Sequence, residues 1–201
     1  LRGMTIEAVG AGGPPEMTLA AWAQLPEDEE GELVDGRLVE EEMPDAIHEV
    51  IVVWLTFTLH GWLAPRRGVV LGSDLRLAVS ARRGRKADAL VYLPGSKKPP
   101  ARGLVRTPPD IILEVVSASP RDGRRDRVEK FDEYAAFGIK WYWIVDPALR
   151  TLEISELGAD GRYVRALGAS AGKVEQVPGC EGLALDLDAM WQEVDALESG
   201  E

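Results

Sequence analysis

Two short apolar stretches, IILEVV and WYWIV, constrain the fold of this chain more than any other feature. They belong to strands predicted over residues 110–116 and 141–145, and their lack of polar alternation is typical of central strands covered on both faces. Between them, Arg121–Phe137 has the apolar spacing of a helix, which Gly138 is predicted to end. A strand, a helix and a strand in this order indicate two parallel strands joined by a crossover. The chain is therefore predicted to be an α/β protein.

The other predicted elements follow from the same periodicities and from turn and capping residues. Helices are predicted after Thr18, over Asp45–Leu63 and after Asp186 or Asp188. Strands are predicted over Val69–Val79, Ala87–Leu93, Thr151–Leu157 and Arg162–Leu167, with a hairpin over Glu32–Val39. The last two strands form a C-terminal hairpin.

A chain of 201 residues is predicted to form one domain, over residues 18–194. Residues 1–17 are predicted to be a tail that is disordered or foreign to the natural chain, and residues 195–201 an acidic tail. A single cysteine, Cys180, fits a reducing compartment, and no stretch resembles a signal peptide. The longest purely apolar run, Ile51–Leu55, is too short to cross a bilayer. We expect a cytoplasmic protein with no membrane partner.

Glu114 is an acidic residue in the middle of the first apolar stretch. An unpaired carboxylate in such a place costs several kcal/mol or shifts its pKa until it is neutral. Asp110 is too distant to share a metal ion with it, because four residues of strand span ~13 Å. Asp88, at the start of the preceding strand, can share one, since neighbouring strands lie ~4.8 Å apart. The alternatives are that Asp88 caps a turn and that Glu114 pairs with a cation of a helix.

The charge is distributed unevenly along the chain. The net charge is −11, but residues 82–130 contain 13 Lys and Arg against 6 Asp and Glu. Such asymmetry indicates an anion-binding face on an acidic body, or simply two solvated surfaces. The residues predicted to bind nucleic acid are Arg82, Arg83, Arg85, Lys86, Arg124 and Arg125.

Several motifs together resemble the Uma-two family of restriction-endonuclease-like proteins, within the PD-(D/E)XK nuclease superfamily. In chain order they are GELVDGRLVE, His48, SDLRL, ADALVY, DIILEVVSAS, DRVEKFDEYAAFGI and YWIVDP. The resemblance covers residues 18 to 191 and implies a restriction-endonuclease-like core. Such a core is a mixed central sheet flanked by helices, here with an N-terminal helix and hairpin and a C-terminal hairpin added.

The resemblance also implies roles for individual residues. Asp88 and Glu114 match the two acidic residues of the motif and would bind Mg²⁺ or Mn²⁺ with the main-chain carbonyl near Val115. The lysine of the superfamily belongs at the place of Val116, so in this chain the catalytic lysine is assigned to Lys130 on the following helix. An exposed helix lysine is the alternative. A catalytic Lys130 predicts that Lys130→Ala abolishes cleavage and keeps the fold and most metal affinity.

Four further residues have weaker claims to the site. Glu32 matches an acidic residue of the first hairpin and is a candidate metal ligand, or one acid of an exposed face. His48 lies on the apolar face of its helix, as a core-edge histidine or a residue near the active site. Asp74 faces the cleft or a cation such as Arg76, and Tyr134 is interpreted as packing.

Two functions of different classes remain open from the sequence. The first is a metal-dependent endonuclease that hydrolyses phosphodiester bonds of DNA. The second is an inactive member of the fold that binds nucleic acid or a protein partner. A homodimer is also predicted, because Trp54, Trp62 and the YWIV stretch exceed what a small core needs. The competing reading places these tryptophans in the core.

Overall fold

The structure is a computed structural model that describes residues 16–26, 29, 31–40, 43–117 and 124–200. Its α-helices are α1 (Leu19–Trp22), α2 (Ala46–Leu63), α3 (Lys130–Phe137) and α4 (Leu187–Ser199). Its strands are β1 (Glu32–Val34), β2 (Arg37–Val39), β3 (Val69–Leu71), β4 (Leu77–Ala78), β5 (Gly84–Arg85), β6 (Ala89–Tyr92), β7 (Ile111–Val115), β8 (Trp141–Asp146), β9 (Thr151–Leu157), β10 (Tyr163–Ala169), β11 (Lys173–Val174) and β12 (Leu185–Asp186). A π-helical turn, Arg125–Glu129, leads directly into α3. The tail predicted over residues 1–17 lies outside the described residues apart from Glu16 and Met17.

A six-stranded sheet forms the centre of the molecule, in the order β10-β9-β8-β7-β6-β3. Strands β7 and β8 are parallel and all other neighbours in this sheet are antiparallel. The chain passes from β7 to β8 through α3, so the predicted crossover and mixed sheet are confirmed. The predicted C-terminal hairpin is confirmed as β9 and β10.

Alternate residues of the central strands face two different layers. Ile111, Leu113 and Val115 point toward α2 and α4, whereas Ile112 and Val116 point toward α3. This alternation is the ordinary period of two in a strand. Glu114 therefore lies on the α3 side of the sheet.

A smaller sheet, in the order β2-β1-β5-β4, carries the N-terminal hairpin. The hairpin turns at Asp35 and Gly36, which both have positive φ, of 48° and 81°. The Asp-Gly pair suits such a turn because both residues tolerate the left-handed region. The predicted hairpin is confirmed.

The single strand predicted over Val69–Val79 is wrong. The chain instead forms β3 in the central sheet and β4 in the smaller sheet, with Asp74 between them at a φ of 70°. A left-handed residue turns the chain sharply, and Asp is one of the residues that adopts this conformation at low cost. Because of this break, the segment Val69–Val79 contributes one strand to each of the two sheets.

Helix α2 begins at the predicted cap, since the Asp45 side chain accepts a hydrogen bond from the His48 amide. One face of the helix is buried against the central sheet through Ile51, Leu55 and Leu59. The helical stretch Ala46–Arg66 is long and apolar enough to span a membrane by length and composition alone. That is weak evidence, because a core helix of this kind passes the same test.

The YWIV stretch does not supply surplus apolar surface. It lies in β8, inside the central sheet, and its four residues are buried. Trp54 and Trp62 are half-buried and pack against the same core. At the other end of the chain, α4 extends to Ser199, beyond residue 194 where the domain was predicted to end. The tail predicted over 195–201 therefore begins inside this helix.

Candidate active site

An open cleft of ≈ 340 Å³ lies where β6 begins and β7 ends. Asp88, Glu114 and Lys130 all line it, so the three residues assigned to the motif converge on one place. Most of the other lining residues are polar. The other lining residues, polar and apolar together, are Pro44, His48, Glu49, Ser73, Asp74, Lys86, Ala87, Val115, Ser117, Arg125 and Asp126.

Asp88 immediately precedes β6 and is held by the neighbouring strand. Strands β6 and β7 pair with Ala89 opposite Leu113, and continuing this register places Asp88 opposite Glu114. The Asp88 Oδ2 atom accepts a hydrogen bond of 2.6 Å from the Val115 amide. The prediction that the strands around Asp88 and Glu114 are neighbours is confirmed.

Glu114 is buried, and both of its carboxylate oxygens have partners. Oε1 accepts a hydrogen bond of 2.6 Å from the Tyr134 hydroxyl, and Oε2 lies 3.0 Å from Lys130 Nζ. Burial raises the pKa of Glu114 well above its ordinary value, and Lys130 offsets only part of this effect. The nearby carboxylates of Asp126 and Asp88 raise the pKa further. The site is therefore short of positive charge.

Lys130 is buried among carboxylates instead of lying in solvent. Its Nζ atom is 3.0 Å from Glu114, 3.2 Å from Asp126 Oδ1 and 3.6 Å from Glu32 Oε1. Burial alone lowers the pKa of Lys130, but Asp126, Glu114 and Glu32 outweigh it and raise the pKa well above its ordinary value. The ammonium stays charged.

One helical segment brings two charged residues into the cleft, and it begins with the π-helical turn before α3. Such turns occur often at functional sites. Asp126, inside the turn, and Lys130, at its end, form an ion pair four residues apart. Burial raises the pKa of Asp126. Sequence reasoning missed Asp126 as a site residue, although the spacing Asp-x3-Lys-x3-Tyr contained it.

His48 lies in the cleft, next to one of the acidic residues. Its Nε2 atom is 3.3 Å from Asp88 Oδ2, and its Nδ1 atom is 3.4 Å from Glu49 Oε1. Burial lowers the pKa of His48, but the contacts with Asp88 and Glu49 outweigh burial and raise it. His48 thus lies on the buried face of α2 and also lines the cleft, so it combines the two positions that the sequence left open.

Glu32 contacts Lys130 from behind and does not line the cleft. Its carboxylate accepts hydrogen bonds from Arg85 Nη1 at 2.6 Å and from the Lys86 amide at 3.0 Å. Burial raises the pKa of Glu32, but Lys130, Arg85 and Arg125 outweigh burial and lower it. Glu32 therefore fixes charged side chains around the site.

Asp74 and Tyr134 lie next to the candidate site residues, in different ways. Asp74 is exposed at the rim of the cleft and lies 3.3 Å from Lys86 Nζ, so its cation is Lys86 and not Arg76. Tyr134 is fully buried, and its hydroxyl donates a hydrogen bond to Glu114. The interpretation of Tyr134 as packing is therefore incomplete, because the residue also binds a site carboxylate.

Arg85 was predicted to bind nucleic acid, and the structure corrects this. The residue has no exposed surface, and its guanidinium donates to Glu32 and Glu133. Arg83 also pairs internally, with Asp35 and Glu133. The carboxylates that pair with Arg83 and Arg85 come from the first hairpin and from α3. The two arginines therefore connect the hairpin to the helix.

The remaining predicted basic residues occupy three different environments. Arg82 is exposed and donates to Glu16 at 2.9 Å. Lys86 and Arg125 line the cleft. Arg124 is exposed at the start of the helical segment. The predicted basic face thus reduces to cations near the cleft and two exposed arginines.

The donor atoms in the cleft fit Mg²⁺ or Mn²⁺. Carboxylate and carbonyl oxygens are the ligands that these ions take in proteins, and a divalent ion would relieve the raised pKa of Glu114. Within the described ranges, no group of three or more His, Cys, Asp or Glu residues is arranged to hold a metal. Asp88, Glu114 and the carbonyl of Val115 would hold the ion, and water would complete the coordination.

Comparison with known proteins identifies a matching family and similar solved structures. The family model Uma2, described as "Putative restriction endonuclease", matches residues 18–188. A crystal structure of "a putative nuclease belonging to DUF820" from Anabaena variabilis ATCC 29413 is 18% identical, with a TM-score of 0.70 over 88% of this chain and 98% of that chain. At this identity the likeness shows the shared fold. No curated protein matches the chain.

Proposed function

The chain belongs to the Uma2 family of restriction-endonuclease-like proteins, and from this premise we propose that it is a Mg²⁺- or Mn²⁺-dependent endonuclease acting on DNA. The family and the fold support a nuclease. The dependence on metal, the endonuclease activity and the DNA substrate are the finer parts of the proposal, and the chemistry of the cleft supports them.

The proposed role of each site residue follows from its contacts. Asp88 and Glu114, with the carbonyl of Val115, would hold the ion at the end of two neighbouring strands. When bound, the ion acts as a Lewis acid that activates water and stabilises charge on the phosphate. The Val115 amide orients Asp88, and the Tyr134 hydroxyl orients Glu114.

Lys130 is proposed to stabilise the negative charge that develops on the phosphate during hydrolysis. A fixed cation in a site partly shielded from water is more effective than one in solvent, because it does not have to reorganise as the charge develops. Asp126 and Glu32 hold the ammonium at the cleft. The observation that carries the proposal is the 3.0 Å contact between Lys130 and Glu114 inside a cleft that Asp88 also lines.

The test is cleavage of plasmid and single-stranded DNA with Mg²⁺, with Mn²⁺ and with EDTA. Wild type is expected to cut with either metal and not with EDTA. Glu114→Gln is expected to lose both cleavage and the heat of Mn²⁺ binding, whereas Lys130→Met loses cleavage and keeps most Mn²⁺ affinity.

Lys140→Met is the matched control, because Lys140 is an exposed lysine that pairs with Glu156 away from the cleft. It is expected to cut as wild type does. Cleavage that persists in Glu114→Gln would indicate a contaminating nuclease. A wild-type protein that cuts nothing under any of these conditions would replace the proposal with the inactive binding module.

A further inference from the structure

A second and larger depression continues from the active-site cleft. It has a volume of ≈ 720 Å³, within the range of about 300–1,000 Å³ typical of ligand sites. Asp74 and Lys86 line both depressions and form an ion pair of 3.3 Å at the junction. We call this second depression the Arg76 groove. Its lining residues are Ala23, Leu25, Asp74, Arg76, Lys86, Gly103 and Leu104.

Arg76 is held in one orientation at the groove. Its Nη1 and Nη2 atoms both donate to the Leu25 carbonyl at 3.1 Å, and its guanidinium carbon lies 5.7 Å from the centre of the Trp22 ring. Trp22 is fully buried and is itself fixed by a hydrogen bond of 3.0 Å from its indole to the Gly31 carbonyl. Arg76 lines the groove, whereas Trp22 does not.

The groove differs from the cleft in its chemistry. The cleft is rich in carboxylates. Among the described residues, the groove is lined by two cations, Arg76 and Lys86, by the acid Asp74 and by the apolar side chains of Leu25 and Leu104. A planar cation beside apolar side chains is the kind of surface on which unpaired bases stack, and a lysine at the rim can meet a phosphate.

We propose that the Arg76 groove binds an unpaired nucleotide next to the scissile phosphate, so that the substrate is DNA with single-stranded character at the cleavage point. This inference rests on the proposed function. The base would stack on the guanidinium plane of Arg76 and on Leu25 or Leu104, and its phosphate would lie at Lys86, between groove and cleft.

The internal ion pairs of two of the six predicted basic residues, Arg83 and Arg85, favour a local binding site over a surface that follows duplex DNA. Proteins that follow duplex DNA use many lysines and arginines on its phosphates. In this chain Arg85 and Arg83 are engaged by Glu32, Glu133 and Asp35. The net charge of −11 also opposes long-range attraction of a polyanion.

The test measures binding in EDTA, so that it does not depend on hydrolysis. The probe is a short single strand carrying a fluorescent purine analogue whose emission falls on stacking, free or annealed to its complement. Wild type is expected to bind the single strand on the order of tenfold more tightly than the duplex and to quench the analogue, as a stacking contact predicts. This comparison needs no variant.

Arg76→Lys keeps the positive charge but removes the planar guanidinium group. This variant is expected to lose most of the preference for the single strand over the duplex and most of the quenching of the purine analogue. Arg106→Lys is the matched control, an exposed arginine outside the groove, and is expected to behave as wild type. Equal or tighter binding of the duplex, no binding of the single strand, or an unaltered Arg76→Lys protein would overturn the inference.

The outcomes also separate this inference from the proposed function. Single-strand preference without cleavage in any metal would keep the groove and reject the nuclease. Metal-dependent cleavage without single-strand preference would keep the nuclease and reject the groove.

Discussion

The ammonium of Lys130 lies 3.0 Å from the Glu114 carboxylate, and both side chains are buried. The same ammonium contacts Asp126 and Glu32, so one lysine faces three carboxylates. Burial raises the pKa values of Glu114 and Asp126, and the attraction of Lys130 offsets only part of this effect. For Glu32, Lys130 and Arg85 together outweigh burial and lower the pKa. Lys130 therefore supports the fold as well as the proposed chemistry.

Lys130→Met is expected to lower the free energy of unfolding by about 3–5 kcal/mol, because it leaves buried carboxylates without their cation. This revises the expectation from sequence that removal of Lys130 leaves the fold intact. Urea denaturation measures the change, with Lys140→Met as a control expected to stay within ~0.5 kcal/mol. A Lys130→Met protein as stable as wild type would show that the lysine is dispensable for folding.

Glu114 predicts a dependence of stability on pH in the absence of metal. Burial raises the pKa of Glu114 above its ordinary value of 4.5, so above that pH the folded chain retains protons that the unfolded chain has lost. The free energy of unfolding therefore falls as the pH rises above the ordinary pKa of a glutamate. Glu114→Gln should flatten this slope in urea titrations with EDTA, leaving the parts due to Asp126 and His48, whose pKa values are also raised. An unchanged slope would contradict the prediction.

Tyr134→Phe is expected to lower stability by about 1–3 kcal/mol, because a buried carboxylate loses a hydrogen-bond donor. It should also weaken Mn²⁺ binding, since the loss makes the ionised form of Glu114 less favourable. Tyr163→Phe is the matched control, as its buried hydroxyl donates to the Ile139 carbonyl at 2.7 Å, away from the cleft. Calorimetry should show a Mn²⁺ defect in Tyr134→Phe alone, and equal affinities would argue against the role of Tyr134.

Arg85→Met is expected to lower the free energy of unfolding by about 3–5 kcal/mol, since Glu32 and Glu133 lose their buried cation. Arg82→Gln should change it by no more than ~0.5 kcal/mol, because Arg82 is exposed. Thermal and urea unfolding of the two variants test this contrast. If Arg82→Gln is the more destabilised variant, the role assigned to the buried arginine is wrong.

The homodimer stays a prediction. Its expected interface is the outer face of α2 and no longer the YWIV stretch. The outer face of α2 exposes Val53 by 61% and Phe57 by 79%, whereas the YWIV residues are inside the sheet. Light scattering is expected to give the mass of a dimer for wild type and of a monomer for Phe57→Asp. Leu149→Asp, at an exposed apolar position elsewhere, should remain a dimer. A monomeric wild type at micromolar concentration would reject the prediction.

Local patterns in the sequence determined most of the helices and strands and one pair of candidate site residues. The Asp35-Gly36 turn, the Asp45 cap and the left-handed Gly138 all act within a few residues, so their outcome could be predicted. Asp88 and Glu114 could be paired because they lie in consecutive strands, whose side chains alternate with a period of two.

Only the tertiary structure decided which charged side chains are buried and what they contact. Arg85 reads in the sequence as one of several exposed cations, but its partner Glu133 is 48 residues away, on α3. The break at Asp74 likewise depends on a second sheet that competes for the apolar segment. A charged residue has the same sequence pattern whether water or a distant opposite charge solvates it. The packing of separate elements makes that choice, which is why the fold and the Asp88–Glu114 pair were predictable and the ionic surroundings of Lys130 were not.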